Sequence, residues 1–289
     1  MIKFLDLLRP KPLTECVVAT IHLNGETILA KNRDRKYSPE MQVIHELIDG
    51  TEVMYIYDEL TDWSEGMNEY GIGIINASLM VHFDEMQGDI AKEQDKKGLV
   101  PSYDGLKIRT ALSHNKLSDA TESIIKYVGE DKKDVGVKGM TMVANTKHAF
   151  VIELTSEHLP VIKKIDKPKV TVRTNHGIAY PETGYTSGIK RESSISRKDI
   201  ATVELQKVTQ ADEILDVLAH QWVKDNYMNP YRRTNPMDMQ TTGQVMMNLD
   251  KLQFSFRWDK NHSKFEGYIN KLPKGYKPKI ELVILEGIS

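Results

Sequence analysis

The chain has 289 residues, 40% of them apolar and 28% charged, with a formal net charge of −2, which suits one large domain or two small ones with a substantial core. The near-neutral balance, with Lys and Arg scattered, gives no electrostatic case for nucleic acid or an anionic membrane as partner. No stretch approaches the roughly 20 apolar residues of a membrane span, and a single cysteine excludes an intramolecular disulfide framework and fits a reducing cytoplasm.

The first residues, Met1 to Glu15, hold two short apolar pairs, Phe4-Leu5 and Leu7-Leu8, split by Asp6 and followed by Arg9-Pro10-Lys11-Pro12. A secretory signal needs an unbroken apolar run of about 7–15 residues and a small-residue cleavage site, and neither is here. The cysteine, Cys16, comes next and opens a β-hairpin. Val17 to Leu23 is apolar and β-branched, Asn24-Gly25 is the turn, and Glu26 to Ala30 runs back into Lys31-Asn32-Arg33-Asp34. Alternation puts Lys31 and Arg33 on one face and Asn32 and Asp34 on the other. Closing the hairpin brings Asp34 near Cys16. Further strands are expected at Val53–Tyr57, Gly71–Ala77, Gly139–Val143, Ala149–Leu154, Val161–Ile165 and Val170–Arg173, then Gly243–Leu249, Leu252–Trp258 and Ile280–Leu285.

Helical periodicity is expected at Leu106–His114, Asp119–Val128 and, most clearly, Ala211–Trp222, where Thr209 and Asp212 resemble a capping box. The charged stretch Glu85–Lys97 reads as a helix or a loop over a site. Groups of strands separated by a few helices argue for an α+β fold. The sequence has no G-x-G-x-x-G, no phosphate-binding loop and no H-E-x-x-H, and its histidines lack metal-ligand spacing, so neither a cofactor nor a metal is expected.

A lone cytosolic cysteine is most often a small buried hydrophobe. Its position gives Cys16 another reading. With the preceding residues removed it would carry a thiol and a free α-amine. An amine of pKa about 7.7–8.0 beside a thiol of about 8.5 is matched for proton transfer near neutrality. A carboxylate at Asp34 could then hold the amine by a charge-assisted hydrogen bond, although a solvated charge cluster at a strand end explains that residue equally well.

Several short motifs in order resemble the choloylglycine hydrolase and penicillin acylase branch of the N-terminal nucleophile hydrolases, and the related acyl-CoA:6-aminopenicillanate acyltransferases. Cys16 followed by Lys31-Asn32-Arg33-Asp34 is similar to the family's cysteine and R-N-x-D element, with Asp34 on the family Asp. Lys31 stands at the family Arg, and whether Arg33 substitutes is open. Gly66-Met67-Asn68-Glu69-Tyr70-Gly71 resembles G-M-N-E-x-G and leads to Asn76-Ala77-Ser78, from which Asn76, or else Ser78, matches an oxyanion donor. Val172-Arg173-Thr174-Asn175-His176 resembles the T-N element, with Asn175 as the oxyanion donor and His176 a pocket or structural residue. Ser193-Ser194-Ile195-Ser196-Arg197 matches S-S-x-S-R, which puts Arg197 close to the thiol, and Thr241 to Leu249 looks like the C-terminal strand of the acyltransferase-type members. Each has a plainer reading as a turn, an Asx-turn or a capped helix start.

The resemblance implies a four-layer αββα sandwich of two stacked antiparallel sheets. It implies a single catalytic domain over 16–289, with residues 1–15 removed by self-cleavage. The activity implied is hydrolysis of a linear acyl amide, or transfer of its acyl group, through a thioester on Cys16. Asp34 and Arg197 would orient its amine and thiol, and Asn175 with Asn76 would bind the oxyanion. The expected partner is a small acyl amide, with a homo-oligomer left open. Trp63, Tyr70, Phe83 and Tyr185 are candidates to line an acyl pocket, or else core. The competing readings are a glutamine amidase, an ester- or lactone-active relative, and a binding protein that keeps the fold.

Overall fold

The computed structural model describes residues 14–35, 39–79, 103–126, 136–155, 158–166, 169–233, 239–258, 263–269 and 279–282. The expected hairpin is its centre. Strand β1 (Thr14–Leu23) and strand β2 (Glu26–Arg35) pair in register from Thr14↔Arg35 to Leu23↔Glu26. Asn24 and Gly25 both take positive φ, 52° and 86°, as a tight Asn-Gly hairpin turn requires.

Around this hairpin lies a six-stranded antiparallel sheet. It adds β10 (Val170–Arg173) beside β1, and β11 (Gln240–Asn248), β12 (Gln253–Trp258) and β13 (Ser263–Tyr268) beyond β2. A second sheet has eight strands. Its order is β14 (Lys279–Leu282), β3 (Met41–Ile48), β4 (Thr51–Asp58), β5 (Trp63–Asn68), β6 (Gly73–Ala77), β7 (Gly139–Ala144), β8 (Ala149–Leu154) and β9 (Val161–Ile165).

Three apolar layers account for the stacking. Cys16, Val18 and Leu29 from the first sheet meet Met54, Met67, Ile75 and Met142 from the second, forming the core between the sheets. The alternate residues Val17, Ala19, Ile28 and Ala30 face outward. They are covered by helices α3 (Gly188–Leu205) and α4 (Glu213–Ala219) through Ala201, Leu205, Ile214, Leu215 and Leu218. The outer face of the second sheet, Val53, Ile74, Val143 and Ile152, is covered by α1 (Tyr103–Leu112) and α2 (Leu117–Ile125). The result is a four-layer αββα sandwich, as the motifs imply. Period-2 alternation in β1 and β2 sends every second side chain into a different core.

The strands at Ala149–Leu154, Val161–Ile165 and Val170–Arg173 coincide with their sequence-based bounds. Helix α4 begins two residues later than expected, and the capping box is not formed. Asp212 makes no side-chain cap bond. The Glu213 carboxylate instead accepts from the amides of Thr209 and Gln210 and from the Thr209 hydroxyl. A Glu already inside the first turn reaches back to those free amides, and so does the work expected of Asp212. Phe83 and Glu85–Lys97 lie outside the described residues.

Candidate active site

Strand register decides which groups surround Cys16. Its cross-strand partner is Arg33, with Lys31 and Arg35 two residues to either side on the same face of β2. The thiol face therefore carries three buried cations. Lys31 and Arg33 meet carboxylates of the second sheet. Lys31 forms an ion pair with Glu65 and donates to the Asn76 carbonyl at 2.5 Å. The Arg33 guanidinium lies 3.7 Å from Asp58 and reaches the Met41 sulfur. Arg35 turns toward Cys16. Its Nη1 is 3.7 Å from the Cys16 Sγ, 3.5 Å from the Glu15 carbonyl oxygen and 2.8 Å from the Asp34 carbonyl oxygen. Of the three cations on this face, Arg35 is the one whose guanidinium meets the thiol.

The opposite face of β1 and β2 carries Glu15 and Asp34, which are cross-strand partners. Both are buried, and between them sit the buried guanidiniums of Arg197 from α3 and Arg232 from the loop before β11. Glu15 takes the shorter contacts: 2.8 Å to Arg197 Nη2, 2.8 Å to Arg232 Nη2 and 2.7 Å from the Tyr185 hydroxyl. Asp34 lies 3.4 Å from Arg197 Nη1 and 3.7 Å from Arg232 Nη1, and accepts from the Thr241 hydroxyl at 2.8 Å. Burial alone would raise both carboxyl pKa values. For Glu15 the two guanidiniums and the Tyr185 hydroxyl outweigh it and hold the group below the usual range. For Asp34 burial wins, and its neighbour Glu15 adds to the rise. In this arrangement Glu15 is the principal counter-charge of the arginines.

The peptide joining Glu15 to Cys16 is held from both sides. The Cys16 amide donates to Asn175 Oδ1 at 3.0 Å, and the Cys16 carbonyl accepts from Arg197 Nη1 at 3.0 Å. Asn175 also accepts from Arg197 Nη2 at 3.2 Å and donates through Nδ2 to the Ser78 carbonyl at 2.7 Å. These bonds span distant parts of the chain, so Asn175 does not make the local Asx-turn that was its plainer reading. Arg197 meets Cys16 at its carbonyl rather than its thiol, because the helix layer covers the face of β1 opposite the thiol.

The serine motif of α3 is accounted for position by position. Ser193 donates to the Tyr227 carbonyl and accepts from Arg232. Ser194 accepts from the Asn175 amide and bonds His176 Nδ1 and the Thr174 hydroxyl. Ser196 donates to the Met228 carbonyl. His176 is buried within this network, which matches the structural reading given to it.

Asn76 is placed differently from its expected role. Ile75 and Ala77 point between the sheets, so Asn76 points to the outer face of β6. Its amide donates to the Thr141 hydroxyl at 2.7 Å and the Lys138 carbonyl at 3.2 Å. Only its backbone carbonyl faces the site, where it accepts from Lys31. The neighbouring Gly66–Gly71 motif is a structural node. A Cβ on Gly66 would lie 2.4 Å from both the Met54 carbonyl oxygen and the Tyr55 Cβ. The Asn68 side chain accepts from the amides of Tyr70 and Ile72 and donates to the carbonyls of Leu112 and His114, tying the end of α1 to the turn. Of the proposed acyl-pocket residues, Tyr185 reaches Glu15, Trp63 donates to Glu65, and Tyr70 is half exposed.

Sequence reasoning missed Glu15, Arg35 and Arg232. Arg35 shares parity with Lys31 and Arg33 and was findable by extending the alternation one step. Arg232 carries no local signal. Its position depends on its backbone amide donating to Thr241 Oγ1, a residue of a strand that pairs with β2. No group of three or more metal-ligating side chains occurs among the described residues.

No family model matches the sequence, and no curated protein matches it. Solved structures do. The mutant and variant crystal structures of conjugated bile acid hydrolase from Clostridium perfringens superpose with a TM-score of 0.61 at 14% identity. They cover 92% of this chain and 96% of theirs. Penicillin V acylase from Agrobacterium tumefaciens gives a TM-score of 0.55 at 13% identity, over 89% of this chain and 87% of its own. The fold is that of the N-terminal nucleophile hydrolases. In that fold Cys16 is carried by a strand of the six-stranded sheet, with its thiol between the sheets. Among the described residues no helix is long and apolar enough to cross a membrane.

Proposed function

We propose that this protein is a cysteine amidohydrolase of linear acyl amides, activated by cleavage of its own Glu15–Cys16 bond. The observation that carries the reading is the clamp on Cys16. Its amide nitrogen is held by Asn175 Oδ1, its carbonyl by Arg197, and its sulfur and the preceding carbonyl oxygen both face Arg35 Nη1. A buried cysteine serving only as a hydrophobe needs none of these polar groups.

In activation, the Cys16 sulfur attacks the Glu15 carbonyl carbon. The S–C bond forms as the C–N bond breaks, the nitrogen leaves as the Cys16 α-amine with the thiol proton, and water hydrolyses the thioester. Arg35, near both the sulfur and the carbonyl oxygen, opposes the negative charge that develops there. In turnover the same thiol attacks the substrate carbonyl while the α-amine takes its proton and later delivers it to the leaving amine. Asn175 Oδ1 keeps that amine in place. Water then releases the acid from the thioester, and an acceptor amine would make the same chain an acyltransferase.

Intact-mass measurement tests the first step. Purified wild-type protein should have lost residues 1–15, and Cys16→Ala protein should retain them. Amine release from a panel of acyl amides tests the second. A wild-type chain that keeps its leader, or a Cys16→Ser variant with undiminished amide hydrolysis, would remove the basis for the assignment.

A further inference from the structure

The Glu15 side chain occupies a cage that is fully built before any substrate arrives. Arg197 and Arg232 each present an Nη2 at 2.8 Å, Tyr185 a hydroxyl at 2.7 Å and Tyr227 a hydroxyl at 3.5 Å. The Arg232 guanidinium also lies over the Tyr227 ring, 4.2 Å from its centroid. Both arginine side chains, and the main chain of both tyrosines, are held from outside the cage. Ser193 holds Arg232, the Cys16 carbonyl and Asp34 hold Arg197, Arg191 Nη1 donates to the Tyr185 carbonyl, and Asp225 accepts from the Tyr227 amide. The two guanidiniums therefore keep anchors that do not involve Glu15. When the leader departs, Asp34 is the carboxylate partner the arginines keep among the described residues.

We infer that the vacated cage is the binding site for a carboxylate on the substrate's acyl group, and that the enzyme acts on amides of short dicarboxylic acids of glutaryl length. This rests on the amidohydrolase reading. The length follows from chemistry. The acyl carbon of Glu15, its side-chain carbons and its carboxylate together form a glutaryl skeleton. The self-cleavage thioester is an acyl-enzyme whose acyl group is this unit, its carboxylate in the cage and its carbonyl carbon on Cys16 Sγ. A glutaryl amide attacked by the same sulfur gives a thioester with the same spacing. The thiol proton passes to the α-amine and on to the leaving amine, and water then frees glutarate and regenerates the thiol. A neutral acyl chain of equal length leaves two buried guanidiniums and two hydroxyls without their acceptor, which is costly.

The test compares kcat/KM of the self-processed protein for glutaryl and pentanoyl p-nitroanilides. Glutaryl should be favoured by about 100-fold or more, since a site of buried donors rejects an analogue that leaves them unpaired. Tyr185→Phe, which keeps the ring and removes one donor, should cut that ratio by about tenfold. It stands in for Arg232→Met, which can fail to fold. If the leader is lost and the pentanoyl amide is cleaved as well as the glutaryl one, the cage inference is overturned while the amidohydrolase reading survives. If the leader is lost and neither amide is cleaved, that reading fails, and calorimetry with glutarate on the same protein decides the cage. Saturable binding weakened by Tyr185→Phe supports it, and no binding overturns it. A leader retained on the purified protein overturns both.

Discussion

The balance of charge around Glu15 makes a quantitative claim on stability. Consider Glu15→Gln placed in a chain that also carries Cys16→Ala, so that the proposed self-cleavage has no nucleophile. Gln keeps the shape and one acceptor oxygen but removes the charge that faces Arg197 and Arg232 at 2.8 Å each. Glu15 is 2% exposed and both arginines are 0% exposed. Removing one member of a buried ion pair costs about 3–5 kcal/mol, because the remaining charges are left uncompensated. Asp34, already 3.4 and 3.7 Å from the two guanidiniums, takes over part of the neutralisation. That places the loss at the lower end, about 3 kcal/mol. Urea unfolding followed by tryptophan fluorescence should show the midpoint falling by about 1 M or more at unchanged slope. A shift under about 0.3 M would mean that Glu15 is not the principal counter-charge and would refute the reasoning. The Cys16-containing pair supplies an internal check. On the proposed self-cleavage, processed wild type and processed Glu15→Gln are the same molecule, so their stabilities must converge.

Other expectations follow from single contacts. Lys31→Met should cost about 3–5 kcal/mol by leaving Glu65 buried and unpaired, and adding Glu65→Gln should restore much of it in a double-mutant cycle. Equal loss in the single and double variants would show that the pair is not the source. Asn68→Ala strips the partners from four backbone groups and should cost about 2–4 kcal/mol, with faster amide exchange in the turn at Tyr70 and Ile72. His176 takes up its proton near 6.5 when unfolded. In the folded chain burial, aided by Lys198, Arg191 and Arg197, pushes its pKa down to about 4. The unfolded state therefore binds more protons between those values, and stability falls as pH drops through that window. Unfolding midpoints at pH 7 and pH 5 should differ less in His176→Gln than in wild type, and identical differences would exclude His176 as the titrating group.

How much of this was legible in the sequence depends on the range of the interaction. The hairpin was, because Asn24-Gly25 fixes a turn, and alternation from that turn fixes which face each residue takes. The same alternation carried Lys31 and Arg33 to one face and Asp34 to the other, and one more step would have reached Arg35. Helix α4 was legible from Ile214, Leu215 and Leu218. Strand β3 was not foreseen, since its half-buried end carries His45-Glu46, which interrupts the apolar pattern. The outward turn of Asn76 was legible in principle from Ile75 and Ala77 on either side, but motif similarity pointed the other way. Arg232 and the cage belong to another class. They depend on a loop, a helix and two strands meeting, and no local pattern encodes that meeting. Glu15 was read as the end of a leader, and the strand that contains it was not foreseen: β1 begins at Thr14 and runs through the Glu15–Cys16 bond.

That continuity bears on how cleavage would change the chemistry of Cys16. Before it, Arg197 and Arg232 are matched by Glu15 and Asp34, two charges of each sign in a buried volume. On the proposed reading, cleavage removes one carboxylate and exposes an amine in its place, so among the described residues Asp34 is the carboxylate left facing the two guanidiniums. Asp34 then loses the neighbour that helps raise its pKa and becomes the more firmly ionised group. The excess positive charge also disfavours the ammonium form of the new amine, since like charges oppose it. An amine held neutral is one that can accept the thiol proton. A carboxylate brought into the cage by the substrate restores the balance and favours the ammonium at the moment the amine must carry that proton. The same two arginines would thus select the acyl group and set the proton affinity of the base. A substrate carboxylate should then move the pH profile of kcat and not merely lower KM. Identical kcat profiles for glutaryl and pentanoyl amides would separate selection from proton transfer and leave the arginines with binding alone.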